Sequence, residues 1–359
     1  MILITGSTGL IGSAASFFYL DKKRPVIGID NNLRSYFFGK KGSNMWKELI
    51  LKKDKNYKHF SIDIRNKKKI FEIFKKYGKK IKSIIHTAAQ PSHDWASKEP
   101  LTDFEINANG TLNLLEAFRL FCPNATFVFT STNKVYGDNP NFLPLEEKKL
   151  RYELKKKHFY FKKGINETMS LDQTTHSIFG SSKLSADILV QEYGRYFNLN
   201  TAIFRGGCLT GENHSGAQLH GFLSFLVKSI INQVPYSIFG YKGKQVRDNI
   251  HSYDVVNAFD EFIINPKPGG QVYNIGGGRN NSCSILEAIN LIENISGIKS
   301  NYKVLKKNRI GDHIWWITDN SKFKKHYPNW KIKYSLKKSI EHMIDFEKNK
   351  KKINDKKNS

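Results

Sequence analysis

A doubly wound α/β fold, with a smaller C-terminal substrate domain interleaved into it, is predicted by two features of this 359-residue chain. Short apolar runs alternate with longer amphipathic ones, the pattern of a parallel sheet covered by helices on both faces. The first apolar run also ends directly in Gly6-Ser-Thr8-Gly9-Leu10-Ile11-Gly12. Glycine at that spacing turns a strand sharply into a helix, packs the helix close to the sheet and presents its N-terminus to an anion.

The strand-like runs, in order, are 1–5, 25–30, 58–62, 83–87, 126–130, 201–205 and 271–275. Between them lie helix-like runs, notably 103–121 and 181–197. A main domain of 1–208 plus 246–276 is expected, of Rossmann type. Segments 209–245 and 277–345 are less regular and interleave with the last strands, which predicts a substrate domain built from separate pieces. The stretch 139–175 is long, polar and rich in lysine and aromatics, and reads as a lid. The Lys/Asn-rich 346–359 reads as a disordered tail.

Composition narrows the class. Apolar residues make up 39% and charged ones 25%, values of a soluble globular protein. No apolar run reaches the ~18 residues of a membrane span, and a strand that starts at Met1 leaves no room for a leader. Cys122, Cys208 and Cys283 form neither a disulfide framework nor a metal pattern, which favours a reducing cytoplasm and no metal. The net charge of +26 rests largely on scattered lysine clusters such as Lys67-Lys-Lys69. With no nucleic-acid-binding motif beside them, solvated faces account for these, and the field they create attracts an anionic nucleotide.

In this order of elements the ligand crevice lies at the carboxyl ends of the strands. Asp30, with Asn31 behind it, closes the second run about 20 positions after the glycines. A carboxylate there accepts hydrogen bonds from the adenosine ribose and repels a 2′-phosphate, so NAD is favoured over NADP. Asp63-Ile64 follows the third strand, where the adenine would lie. His86-Thr-Ala88-Ala89-Gln90 ends the fourth, and Thr130-Ser131-Thr132-Asn133-Lys134-Val-Tyr-Gly137 the fifth. His176-Ser-Ile-Phe179-Gly-Ser-Ser-Lys183 opens a helix.

Together with Asn107, Arg247-Asp248 and Asn274-Ile-Gly276, these residues resemble the extended short-chain dehydrogenase/reductase family, the NAD-dependent sugar epimerases and dehydratases, over nearly the whole chain. Within it, Asp103-Phe-Glu-Ile-Asn-Ala-Asn-Gly-Thr-Leu-Asn-Leu-Leu-Glu116, Ser131-Thr-Asn-Lys-Val-Tyr-Gly-Asp138 and Gly243-Lys-Gln-Val-Arg-Asp248 look most like the branch that inverts C2 of a CDP-linked deoxysugar. The resemblance implies a bound NAD that removes a hydride from a ring carbon and returns it to the other face of a transient ketone. It implies a cofactor site of Gly6, Thr8, Gly9, Leu10, Ile11, Gly12, Asp30, Asn31, Asp63, Ile64, Ala88, Ala89, Gln90, Asn107, Thr130 and Lys183. Thr132 matches the hydroxyl that bonds the reacting oxygen, and Lys183 the lysine that holds the nicotinamide ribose. Arg247 and Arg309 match the grip on the substrate diphosphate. A homo-oligomer paired through two helices, a cytoplasmic location and a place in carbohydrate biosynthesis, that of lipopolysaccharide, are implied in the same way.

One position breaks the pattern. The family's base is a tyrosine four residues before the lysine, on the same helix face, and here that residue is Phe179. A phenyl ring takes no proton, and general base catalysis is typically worth ~10² to 10⁴ in rate. The readings are a substituted, inactive variant, an NAD-binding or sensing protein without turnover, a water relay to Thr132, or another base. Four candidates for that base are weighed: His176, at helical spacing from Phe179 and Lys183, Lys134, desolvated beside a cationic nicotinamide, Cys208, and His93 with Asp94. His93 and Asp94 border the same crevice and would orient sugar hydroxyls, alongside Asn133. Dehydratases of the family carry an Asp-Glu acid pair after the threonine. Asn133 and Lys134 supply neither member, which ranks elimination below epimerisation; a sugar-nucleotide oxidoreductase that needs external cofactor is a third reading within the enzyme class.

Overall fold

Seven short strands form one parallel sheet: β1 (Ile2–Thr5), β2 (Val26–Ile29), β3 (Tyr57–Phe60), β4 (Ser83–His86), β5 (Thr126–Thr132), β6 (Asn200–Gly206) and β7 (Gln271–Ile275). The computed structural model describes residues 1–212, 214–216, 221–306, 308 and 311–358, and their side chains except at 41 and beyond 350. Across the sheet the strands run β7-β6-β5-β4-β1-β2-β3. The order therefore reverses between β1 and β4, and the crevice at the carboxyl ends opens there.

Both faces of the sheet are covered, so β1 buries every residue of Ile-Leu-Ile-Thr instead of alternating. On one face Leu3, Ile27, Ile84 and Phe127 pack with Leu114 and Phe118 of the helix α2 (Gly110–Phe121) and Val190 of α3 (Ser177–Tyr196). On the other, Ile2, Ile4 and Val128 pack with Ala15 and Tyr19 of α1 (Leu10–Asp21) and Val255 and Phe259 of α4 (Ser252–Ile264).

The later pieces build a second core from Leu226, Ile230, Ile289, Ile292, Ile340 and Met343. A small sheet ties the two together. The strand Val246–His251 pairs in parallel with Cys208–Thr210 and Trp315–Trp316, and antiparallel with Ser282–Ser284. Two of these strands reach the main crevice, through Cys208, Leu209 and Thr210 and through Arg247 and Asn249.

Several features depart from the sequence reading. β5 runs two residues further than expected, carrying Thr132 inside the ladder opposite Gly206. The helical run 103–121 is interrupted by a π-turn at Glu105–Asn109. The stretch 139–175 is no lid. Its Leu154, Tyr160, Ile165 and Met169 are buried against Trp315, Trp316 and Ile317, and none of its residues lines the crevice. Phe323, Tyr327 and Trp330, expected with the substrate pieces, pack in the sheet's own core. The terminal stretch continues a helix, Leu336–Asn358, where a disordered tail was expected.

Candidate active site

A cleft of about 440 Å³ runs along the carboxyl ends of the strands. Gly6, Gly9, Leu10 and Ile11 line one end with Asp30, Asn31, Asp63 and Ile64. Ala88, Ala89, Thr130 and Thr132 line the middle with Phe179 and Lys183. His93, Asn133, Lys134, Cys208 and Arg247 line the other end. Most candidates drawn from the sequence therefore meet on one surface.

The glycine turn is enforced by contact. Gly6 has φ +65°, and a Cβ on it would stand 2.7 Å from the Ala88 nitrogen. A Cβ on Gly12 would lie 2.0 Å from the Gly6 carbonyl oxygen, so α1 can approach the sheet only without a side chain there. No side chain caps α1 at Gly9. Its first N–H groups, which have no partner within the helix, are open to an anion. Thr8 does not face the cleft; its N–H and hydroxyl donate to Asp30 Oδ2 at 3.0 and 2.7 Å, while Asn32 N–H donates to Oδ1 at 2.8 Å. A carboxylate has about four acceptor positions, so Asp30 is oriented by these bonds and still able to accept ribose hydroxyls. At the adenine end Asn31 donates to Asp63 at 3.1 Å, and Arg65 holds the same carboxylate and keeps it below the usual range.

Gln90 and Asn107 lie beneath the cleft. Asn107 accepts the Gln90 N–H at 2.9 Å and donates to the Gln90 carbonyl, to Asp103 and toward Ser182 Oγ. They pin the loop after β4 onto α3 and are outside the cleft lining. This corrects their expected place in the cofactor wall.

Lys183 is buried, donates to the Thr130 carbonyl at 3.0 Å and sits 4.1 Å from the centre of the Phe129 ring. Desolvation lowers its ammonium to about 7, opposed by Asp187 and Asp103. Thr132 ends β5, where its Oγ1 accepts the Lys134 N–H at 3.2 Å. Phe179 occupies the neighbouring wall, one helical turn before Lys183.

Two candidate bases lose their case. His176 is outside the cleft lining, with Nε2 bonded to the Leu171 carbonyl at 2.7 Å. It precedes α3, and the left-handed Ser177 (φ +62°) that follows it takes it off the helix face that the spacing assumes. Burial pushes the Cys208 thiol up to about 12, leaving negligible thiolate at neutral pH. Lys134 does face the cleft but donates to the Gly311 carbonyl at 2.7 Å and stands 3.7 Å from Asp312. Arg247 donates to the same Asp312 at 2.6 Å. Arg309 lies outside the described residues.

The cleft also uses residues the sequence did not single out. Asp312 is one. Arg34 is another: it follows Asp30 by four positions and donates across the cleft lining to the Ser215 carbonyl at 2.6 Å. The clue for both was proximity to a motif, Asn308-Arg-Ile-Gly-Asp312 and Asp30-Asn-Asn-Leu-Arg34, but the partners across the cleft come from segments far away in sequence.

The model of the NAD dependent epimerase/dehydratase family matches residues 2–276. The chain belongs to that family. It is 33% identical over 352 residues to CDP-paratose 2-epimerase of Salmonella typhi, covering 96% of this chain and 98% of that one. It is 28% identical over 348 residues to UDP-glucuronate 4-epimerase of Thermodesulfobacterium geofontis, with 96% and 95% covered. Among solved structures, a tyrosine-to-phenylalanine mutant of UDP-glucuronic acid 4-epimerase from Bacillus cereus, in complex with UDP-4-deoxy-4-fluoro-glucuronic acid and NAD, superposes with a TM-score of 0.78 at 24% identity, over 97% of this chain and 99% of that one. UDP-glucose 4-epimerase of Thermus thermophilus in complex with NAD gives 0.76 at 22%, over 97% and 98%.

This family member is thus an NAD-dependent enzyme of the sugar-nucleotide epimerase/dehydratase class, and its cleft fits the cofactor. The uncapped start of α1 and the glycine cradle suit a diphosphate, and Asp30 suits a ribose without 2′-phosphate. Lys183, at the bottom of the middle section, suits the second ribose. Among the described residues no helix is long and apolar enough to cross a membrane.

Proposed function

We propose that this enzyme epimerises a nucleotide-linked sugar through a transient ketone, and that its substrate is a CDP-linked deoxysugar inverted at C2, as the name of its Salmonella relative suggests. The observation that carries the reading is that Thr132, Lys183 and Arg247 all line one cleft. NAD, when bound, supplies the hydride acceptor that later returns the hydride. The protein's own residues do the rest. Thr132 Oγ1 bonds the reacting oxygen, Lys183 Nζ holds the nicotinamide ribose, and Arg247 Nη2 binds diphosphate oxygens in place of Asp312. Asn133 and Lys134 provide no acid pair for elimination, so the ketone goes back to an alcohol and keeps its water.

A homo-oligomer and a cytoplasmic location belong to the same reading. Leu120 on α2 and Ile188 and Tyr196 on α3 are exposed apolar side chains on the two helices that would pair.

The test is incubation of purified protein with a panel of CDP- and UDP-sugars in deuterated water. Expected is inversion of a CDP-sugar at C2 with its carbon-bound hydrogen retained and no net change in NAD. Accumulation of NADH would mark a dehydrogenase, and solvent deuterium at C2 would rule out hydride return.

A further inference from the structure

Phe179 leaves the sugar hydroxyl without the acceptor that the family places four residues before its lysine. The substitute has to line the cleft beside Phe179 and be able to hold a proton. Cys208 keeps its own proton, and His176 is outside the cleft. The Lys134 ammonium is drawn to Gly311 and Asp312, and the Lys183 amine is held against Thr130.

His93 meets the requirement. It starts the short helix His93–Lys98 after β4, lines the cleft, and meets the Phe179 ring edge-on, with centroids 4.8 Å apart and planes at 63°. Its Nδ1 is 2.9 Å from Ser177 Oγ, which also accepts the Gly180 N–H at 3.2 Å. Gly311 closes another side, close enough that a Cβ on it would touch Nδ1 at 3.0 Å. Ser177 itself has φ +62°, a left-handed conformation that a serine adopts at a cost. That strained residue, at the start of the helix bearing Phe179 and Lys183, carries the hydroxyl that orients the imidazole.

We infer that His93 is the proton acceptor and donor of this enzyme, doing from the loop after β4 what a tyrosine on α3 would do. The inference rests on the epimerase reading above. In the tautomer the step needs, Nδ1–H donates to Ser177 Oγ and Nε2 carries the lone pair. The sugar O–H bond breaks, its proton goes to Nε2, and the O–H electrons form the C=O bond. The C–H electron pair leaves with the hydride for the cofactor. Return of the hydride to the opposite face draws the proton back from Nε2 to oxygen. Charged groups on the surrounding elements are Lys134, Lys183, Arg247 and Asp312, with Asp94 and Lys98 on the same short helix.

Two measurements test this. The first is turnover of the nucleotide-sugar panel. His93→Gln should lower the rate by roughly 10² to 10⁴ with NAD affinity unchanged, and adding Phe179→Tyr to it should recover at least tenfold. A His93→Gln rate within about threefold of the parent overturns the proposal. The second needs no substrate: NMR titration of the His93 ring in the parent protein loaded with NAD⁺ or with NADH. A cationic nicotinamide nearby should make the ring titrate at lower pH with NAD⁺ than with NADH. Equal titration overturns the proposal even if the panel is turned over. Failure of the parent on every sugar with a cofactor-sensitive His93 would instead sink the epimerase reading alone.

Discussion

Arg247 and Asp312 form an ion pair of 2.6 Å on the cleft wall, and Lys134 approaches the same carboxylate oxygen at 3.7 Å. An aspartate thus supplies the negative charge that two cations would otherwise receive from a diphosphate. Removing the guanidinium deletes a charge-assisted bond worth about 1.5–3 kcal/mol. Arg247→Ala should therefore raise KM for the nucleotide sugar roughly 10- to 100-fold and leave kcat within a few-fold. Arg247→Lys should restore only part, because a point charge lacks the guanidinium fork. Steady-state kinetics checks both.

Lys183 provides a stability signature in the cofactor-free protein. Its ammonium titrates at about 7 when folded and near 10.5 when unfolded. Between those values the unfolded chain binds more protons, so stability from this group rises as pH goes from 7 to 10.5, falls as pH drops back over the same range, and is level below 7, where both states are protonated. Lys183→Met should be more stable than the parent below pH 7 by a few kcal/mol, because each pH unit separating the folded and unfolded titrations is worth about 1.4 kcal/mol. The difference should close above pH 10. Thermal melts at intervals from pH 6 to 10 would show the convergence; parallel curves would contradict it.

Cys208 faces the cleft with its thiol held near 12, and Cys122 and Cys283 are buried with the same shift. The folded protein should resist iodoacetamide at pH 8, with all three thiols reacting only on unfolding. Cys208→Ser should keep kcat within about threefold. Mass spectrometry after timed alkylation reads the first, kinetics the second.

The first turn of α1 has no spare volume. Gly12→Ala drives a methyl group to 2.0 Å from the Gly6 carbonyl, whose own residue needs φ +65°. Overpacking of this kind costs about 1–3 kcal/mol. The variant should melt several degrees lower and bind NAD at least tenfold more weakly, as calorimetry would show.

The fold was legible because its signals are local. A buried parallel strand is apolar on both faces, and a strand-to-helix turn over a diphosphate admits only glycine, so β1, β2 and the loop between β1 and α1 could be read residue by residue. Spacing misled where a side chain left the element assumed for it. Spacing puts His176 on a helix face, but it only precedes that helix, and its ring bonds back to the Leu171 carbonyl. The stretch 139–175 reads as a lid, but its Leu154, Tyr160, Ile165 and Met169 fill a core with Trp315 and Trp316.

By itself the sequence determined the strands of the sheet, the glycine turn after β1 and the absence of a phenol at Phe179, since each depends on residues adjacent in the chain or one helical turn apart. Only the tertiary structure decided what stands beside Phe179. His93 and Ser177 are 84 positions apart, and Arg247 and Asp312 are 65. Contacts across such separations are set by how strands and helices stack, and no periodicity records them.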